Sequence, residues 1–558
     1  MENKKIIRVS VAQLNLTVGD LNGNTEKIIE SIKKAENLNS DVIIFPELSI
    51  TGYPPEDLLL KSKFIQDNLK KLEEIKKEVN NIIAIVGFVD KVENNLYNSA
   101  AIIYNKKIYG IYHKIFLPNY SVFDEKRYFK SGNEILIFNF DKIIFSVEIC
   151  EDIWHFNGPI KEASQNGAKI IFINNASPYY LGKIKEREEI IISQAKKNNL
   201  FIVYTNLVGG QDEIVFDGQS RIVDNLGNII AGADAFKEEI LNADLNIPES
   251  EIKLKNIIEI PKKIVPKTQI ISKKPELLKP EEEVYKALIL GLKDYILKNG
   301  FQKVVIGLSG GIDSSLVATL AVDTLGNENV IGVFMPSRYT SKESEEDVEE
   351  LVKNLKIRLI KISIEPIYEV YLKILKPHFL DKKEDITEEN LQARIRGNIL
   401  MALSNKFGWL VLATGNKSEM STGYATLYGD MAGGFAVLKD VPKTLVYKLA
   451  NYRNSIGYVI PQRVLVKAPT AELKFNQKDS DTLPEYELLD SILKLYIEED
   501  KEFEEIVGKG FDAEIVKKVL NMVDKSEYKR RQAPPGIKIT PKAFGKDRRM
   551  PITNKYRG

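Results

Sequence analysis

The chain has 558 residues, 44% of them hydrophobic and 28% charged, with a formal net charge of +1 at pH 7. That length asks for two or three domains, each able to bury its own core, and the charge balance excludes a broad pull toward nucleic acid or acidic lipid. A single cysteine, Cys150, excludes an intrachain disulfide framework, and with only three histidines a Cys/His zinc site is discounted.

The opening MENKKIIRVS lacks the apolar run of a signal peptide, and no stretch approaches the length of a membrane span. A cytoplasmic protein is therefore expected. Over residues 1–245, apolar strands are predicted at 6–14, 41–45, 82–89, 143–149, 169–174 and 200–206, with helices at 26–37 and 185–198. DNLGNII, at 224–230, reads as a hairpin turn. This is the pattern of an α/β layered domain.

Three segments of this first part carry reactive side chains at strand ends. DVIIFPELSITGYPPEDLL puts Glu47 past one strand, GIYHKIFLPNYSVFDEKRYF puts Lys114 at the end of a second, and IIFSVEICEDIW puts Cys150 at the end of a third. Three strands of one sheet would bring them together at its carboxyl edge, where reactive groups collect. The trio suits attack on an amide. A thiolate is the nucleophile, an ammonium lowers the thiol pKa and stabilises the tetrahedral intermediate, and a carboxylate shuttles the proton. No histidine is needed, and no G-x-S-x-G elbow points to a serine hydrolase. Alone, a cysteine at a strand end is an inert buried thiol; the other two segments give it a reactive reading. Glu148, Glu151 and Asp152 crowd Cys150 and would raise its pKa, so a cation such as Lys114 is required. Strand alternation would turn Glu148 to the face of Cys150.

These segments resemble the nitrilase superfamily, whose Glu-Lys-Cys triad falls on Glu47, Lys114 and Cys150. The resemblance implies a four-layer α-β-β-α sandwich. From its glutamine-using relatives it implies glutamine contacts at Tyr120, Ser177 and Lys183, with Glu125 supporting the triad.

Residues 246–280 are rich in Lys and Pro without a sustained period and read as a connector whose isoleucines anchor it to a surface. From residue 281 to 558 the βα alternation resumes. A helix at 284–297 precedes the strand KVVIGL, a glycine turn and a helix from Ser314. NVIGVFMPS, a helix at 342–354, IRLIKISI, a helix at 389–405 and WLVLATGN follow. Such alternation implies a doubly wound, mostly parallel, Rossmann-like sheet. The Pro-rich basic tail after Tyr528 is expected to wrap a surface and is a candidate lid.

GLSGGIDSS is the sharpest signal in the chain. Gly307, Leu308, Ser309, Gly310, Gly311, Ile312, Asp313 and Ser314 lead from an apolar strand into a helix. Backbone amides there can approach a phosphate closely, and Asp313 can hold a divalent cation against it. The Walker A lysine is missing. The S-G-G-x-D-S pattern resembles the pyrophosphate loop of the ATP pyrophosphatases, which transfer AMP. Sulfur transfer is disfavoured, because no cysteine follows Cys150.

ENLQARIRGNIL, LATGNKSEMSTGYATLYGDMAGGFAVLKDVPKT, APTAEL and SEYKRRQAPPGIKITPKAFGKDRR are similar to the matching segments of NAD synthetases. That resemblance implies ATP contacts at Thr414, Lys443 and Thr470. It also implies deamido-NAD contacts at Asn390, Glu419, Asp430 and Lys529, and Mg²⁺ on Asp313 and Glu419. Leu427 departs from the lysine common in the ammonia-only members. The combined expectation is an enzyme that takes ammonia from glutamine through a Cys150 thioester, guides it along a sequestered path, and amidates adenylated deamido-NAD. ATP and Mg²⁺ are called for; zinc, haem, flavin, nucleic acid and membrane are not, and a homo-oligomer is expected. The alternatives are amidation of a different carboxylate or carbonyl, a non-catalytic first domain beside an ammonia-fed second one, or a nucleic-acid-binding tail.

Overall fold

A computed structural model describes residues 4–249, 257–380, 382–475 and 477–556. The chain divides into two units, Met1–Gln211 with Val215–Leu278 and Asp212–Ile214 with Lys279–Gly558.

In the first unit, near-continuous apolar runs form two sheets. The six-stranded sheet has the order Glu239–Pro248, Lys4–Gln13, Val42–Ile44, Ile83–Val92, Asn95–Tyr104, Lys107–His113. The seven-stranded sheet has the order Ile229–Gly232, Arg221–Val223, Phe201–Asn206, Ile170–Asn175, Ile143–Ile149, Ile137–Phe140, Ile258–Glu259. Ile7, Val9, Val11 and Ile44 of one sheet share a core with Phe138, Phe145 and Phe172 of the other. Each such side chain, fully buried, contributes about 1.5–3 kcal/mol. The outer faces carry helices. Ser62–Glu78 lies on the strand Ile83–Val92 and against Leu21–Asn37. Pro159–Gln165 and Lys183–Asn198 bury Ile160, Ile191 and Ala195 on Ile171 and Ile173. The result is the expected α-β-β-α sandwich. Its predicted strands are found in place, and Asp224 N–H donates to the Asn228 carbonyl at 3.0 Å to close the predicted turn.

The segment read as a connector is laid on this unit. Ile258–Glu259 pairs in parallel with Phe138 and Asn139, Ile260 is buried, and Lys267 reaches Asp41 at 2.6 Å. Residues 250–256 of that segment lie outside the described residues.

The second unit is built on a five-stranded parallel sheet. Its order is Arg358–Lys361, Val330–Phe334, Val304–Leu308, Leu410–Ala413, Phe435–Ala436. Ile312–Leu325 covers one face, and Ile386–Phe407 packs Leu391 and Ile395 on Val305 and Val333 of the other. A separate helical cluster gathers Leu489, Ile492, Ile506, Val516, Val519 and Val523. No long βα alternation announces it, because its helices are short and pack mainly on one another.

The tail is a pinned strap, which does not suit the lid expected of it. Ile537, Lys538, Ile539 and Thr540 are buried. Asp440 accepts from the Ile539 and Thr540 N–H groups at 2.8 Å each. The buried Lys417 ammonium joins Asp440 at 2.9 Å, Glu498 at 2.7 Å and Thr540 Oγ1 at 2.6 Å. Asp440→Ala would leave that ammonium and two buried N–H groups short of a partner. A loss of about 3–5 kcal/mol is expected, read as a lower denaturant midpoint, with faster proteolysis in the tail.

Candidate active site

Strand ends set up the first site. Glu47 follows Val42–Ile44 and Lys114 follows Lys107–His113, both in the six-stranded sheet. Cys150 follows Ile143–Ile149 in the other sheet. The expectation of one shared sheet is thus corrected: two sheets packed face to face deliver the three residues from both sides of the sandwich. Cys150 adopts φ 45°, a left-handed conformation outside the strand. For a non-glycine residue this stores about 1–3 kcal/mol. It also ends the alternation by which Glu148 was expected to share its face.

Glu47, Lys114 and Glu125 are buried. Lys114 Nζ donates to Glu47 Oε1 at 2.7 Å and to Glu125 Oε1 at 2.9 Å. Glu47 also accepts from Asn98 Nδ2 at 2.7 Å and from the Ala176 N–H at 3.1 Å. Tyr53 Oη donates to Glu125 at 2.8 Å. Burial opposes the charge on Lys114, but Glu125 and Glu47 outweigh it and hold the ammonium well above its ordinary range. Burial pushes Glu125 up to about 7 against the pull of Lys114. Burial also raises the Cys150 thiol well above its ordinary value; Glu47 adds to this and Lys114 opposes it. The resting thiol is therefore protonated and needs a base to act.

The expected glutamine contacts fall nearby. Ser177 adjoins Ala176, and its N–H donates to Asn206 Oδ1 at 2.9 Å. Tyr120 Oη donates to Glu151 at 2.9 Å, and Lys183 Nζ sits 4.5 Å from the Trp154 ring centroid. Burial, then Glu151, raise the Tyr120 phenol, and burial lowers Lys183. Sequence reasoning missed Tyr53 and Asn98, which carry no local signal.

The second site is a cleft of about 290 Å³ in the second unit. Residues 307–314 line it, with Thr414, Glu419, Asp430, Lys443 and Thr470. The helix begins at Ile312, with Gly311 as its cap, so Ser314 lies inside the first turn. There Ser314 Oγ accepts from the Ser309 N–H at 3.3 Å and donates to the Gly311 carbonyl at 3.0 Å. Asp313 pairs with the Lys443 ammonium and accepts from Asn416 Nδ2 at 3.0 Å. Lys443 lies 4.0 Å from Glu419. Burial first, then Asp313, push Glu419 up to about 8. Asn416 and Glu419 form a capping box, a spacing visible in the sequence but not exploited there.

Two expected contacts stand outside the residues that line this cleft. Asn390 accepts from Thr426 Oγ1 at 2.8 Å, and Lys529 Nζ donates to the Gly423 and Ala425 carbonyls at 2.8 and 2.9 Å. Leu427 offers its carbonyl to Arg394 Nε at 3.2 Å. Arg396 and Lys467, both missed, line the cleft. Burial lowers Arg396 to about 10. Among the described residues no group of three or more His, Cys, Asp or Glu could hold a metal, and no helix is long and apolar enough to cross a membrane.

Residues 8–251 match the carbon-nitrogen hydrolase family and residues 284–533 the NAD synthase family. The chain is 50% identical to the glutamine-dependent NAD(+) synthetase of Thermotoga maritima, with 99% of each chain covered. It is 49% identical to that of Aquifex aeolicus, over 99% of this chain and 100% of the other. The structure of the glutamine-dependent NAD+ synthetase of Acinetobacter baumannii in complex with ADP superimposes with a TM-score of 0.78, at 42% identity and 99% coverage of both chains.

Gly310 has φ 78°, and a Cβ there would stand 2.6 Å from the Ser344 carbonyl oxygen. Gly310→Ala is expected to cost about 1–3 kcal/mol in backbone strain alone. Calorimetry should show a lower Tm for the second unit.

Proposed function

The chain belongs to the glutamine-dependent NAD(+) synthetases, and from that premise we propose how its residues divide the work. The enzyme is a ligase that makes NAD with glutamine as nitrogen donor and ATP as substrate. In this reading residues 1–245 form the glutaminase, 246–280 the connector and 281–558 the synthetase.

Glu47 takes the proton of the Cys150 thiol, and the thiolate attacks the glutamine amide carbon. Lys114 stabilises the tetrahedral oxyanion. Glu47 returns the proton to departing ammonia and then activates the water that opens the thioester. General-base help of this kind contributes about 10²–10⁴-fold. The observation that carries this reading is the buried Lys114 ammonium, bonded to Glu47 and Glu125 at 2.7 and 2.9 Å beside a buried thiol. Tyr120, Ser177 and Lys183 bind the glutamine.

In the synthetase, the loop 307–314 with Thr414, Lys443 and Thr470 holds ATP. Asn390, Asp430, Glu419 and Lys529 hold deamido-NAD. The nicotinate carboxylate attacks the α-phosphorus, pyrophosphate leaves, ammonia attacks the acyl adenylate and AMP leaves. Asp313 and Glu419 are two half-buried oxygen donors flanking the Lys443 ammonium. This suits Mg²⁺, which takes one or two carboxylates and completes its shell with phosphates and water. Bound there, Mg²⁺ would neutralise charge on the phosphates. The reading extends to a homo-oligomer in the cytoplasm. An exposed apolar stripe of Ile367, Val370, Tyr371 and Ile374 on the helix Glu365–Phe379 supports self-association, and sedimentation of Val370→Asp against the unaltered enzyme tests it.

NAD formation from deamido-NAD, ATP and Mg²⁺ tests the assignments. Cys150→Ala should lose activity with glutamine and keep it with an ammonium salt. Asp313→Ala should lose pyrophosphate release with both donors. Glutamine use by Cys150→Ala would remove Cys150 as nucleophile, and full activity of Asp313→Ala would remove the ATP assignment.

A further inference from the structure

Glu148 and Asp152 stand two residues before and two after Cys150, and the steps above give neither a task. Both are fully buried, as is Tyr112 on the strand that leads to Lys114. Tyr112 Oη lies 2.9 Å from Glu148 Oε2 and 2.8 Å from Asp152 Oδ2. A phenol carries one proton and can donate to one carboxylate only. The second short contact needs a proton of its own, and the carboxyl groups are its only carriers.

The charge balance points the same way. Lys114 is bonded to Glu47 and Glu125, while no ion pair of Glu148 or Asp152 occurs among the described residues. A buried carboxylate without a cation takes up a proton rather than bear the desolvation cost. The remaining hydrogen bonds decide which of the two does so. Asp152 accepts the Phe116 N–H at 2.9 Å on Oδ1 and the Ile149 N–H at 3.1 Å on Oδ2, and both favour its charged form. Apart from its contact with the tyrosine, Glu148 accepts only from Ser146 Oγ at 3.4 Å.

We propose that Glu148 is a neutral carboxylic acid that donates to Tyr112 Oη, that Tyr112 donates to ionised Asp152, and that this chain positions Cys150 against Lys114. Tyr112 belongs to the strand that delivers Lys114, and Glu148 to the strand that delivers Cys150. Asp152 fastens the residue before Cys150 and a residue two past Lys114 through its backbone contacts. The chain thereby joins the two sheets directly beneath the triad. Glu148 is faced by Tyr112 from the other sheet, by Ser146 and Asp152 from its own strand and turn, and by Glu162 from the helix Pro159–Gln165. None of these is a cation. Burial, then Asp152, raise Glu148 well above the carboxylate range, whereas burial brings Asp152 only to about 6. The two groups fall in the same order.

The proposal rests on the triad assignment, and the test separates the two. Glutamine hydrolysis is measured as kcat and KM in the full-length enzyme and in Glu148→Ala, Glu148→Gln, Asp152→Asn and Cys150→Ala. Ammonium-supported NAD formation and circular dichroism serve as checks of folding. Asp152→Asn would set an amide NH2 against the Phe116 or the Ile149 N–H, since each carboxylate oxygen accepts one of them, and Glu148→Ala would leave Tyr112 without its donor. Both should lower kcat at least about tenfold with little change in KM, in keeping with the ~10²-fold cost of a 1 Å misplacement. Glu148→Gln keeps a neutral donor and should restore activity to within about threefold, far from that misplacement cost. A folded Glu148→Gln enzyme as slow as Asp152→Asn overturns the proposal. Hydrolysis persisting in Cys150→Ala overturns the triad assignment instead. Neutron diffraction of the unaltered enzyme decides independently of folding in the variants: deuterium on the Glu148 carboxyl supports the assignment, and deuterium on Asp152 or on neither overturns it.

Discussion

The first unit is organised around one buried ammonium. Lys114 has no exposed surface to speak of, and its charge is balanced by Glu47 and Glu125 at hydrogen-bond distance. Taking such a group out of water costs several kcal/mol, which is recovered only if its partners are held in good geometry. Asn98, Tyr53 and the Ala176 N–H supply that geometry by fixing the two carboxylates. A cation so held is a preorganised electrostatic centre. In the proposed reaction it would be in place before substrate arrives and would need no reorganisation when charge develops on an amide oxygen.

The sandwich is what makes this burial possible. A single sheet has one carboxyl edge, open to water on both faces. Two sheets sharing a core of Ile, Val and Phe create an end where loops from both close over each other. Glu47 and Lys114 come from one layer and Cys150 from the other. The left-handed conformation of Cys150 belongs to this geometry, because it swings the chain out of its strand at the point where the other layer's ammonium waits. The second unit solves a different problem with a different device. There a glycine-rich turn exposes backbone between a parallel strand and a helix, and Asp313 and Lys443 neutralise one another across the cleft.

Much of this was legible in the sequence, for physical reasons. Strands buried on both faces read as mainly apolar runs, so 143–149 was found to the residue although Ser146 and Glu148 interrupt it. GLSGGIDSS was legible because strand, glycine turn and helix follow one another without interruption. The assignment of Glu47, Lys114 and Cys150 to one sheet failed, since alternation and hydrophobicity say nothing about which sheet a strand joins. Tyr112, Tyr53 and Asn98 were illegible for a related reason. Each is an ordinary strand or loop residue until tertiary contact sets it beside a carboxylate 27 or more positions away. The tail misled because Pro and Lys suggest an exposed segment, whereas Asp440 and Lys417 draw it into the interior.

The lone thiol has a consequence for how this enzyme ages. Cys150 is the only cysteine in the chain, so a sulfenic acid formed there finds no neighbouring thiol to trap it as a disulfide. Rescue would have to come from a diffusible reductant able to reach a buried side chain, and further oxidation is irreversible. The residues lining the synthetase cleft include no thiol, only the Met335 thioether, whose oxidation is reversible. With Cys150 as the proposed nucleophile, its oxidation would retire glutamine use and leave a chain that assembles NAD wherever ammonia is plentiful.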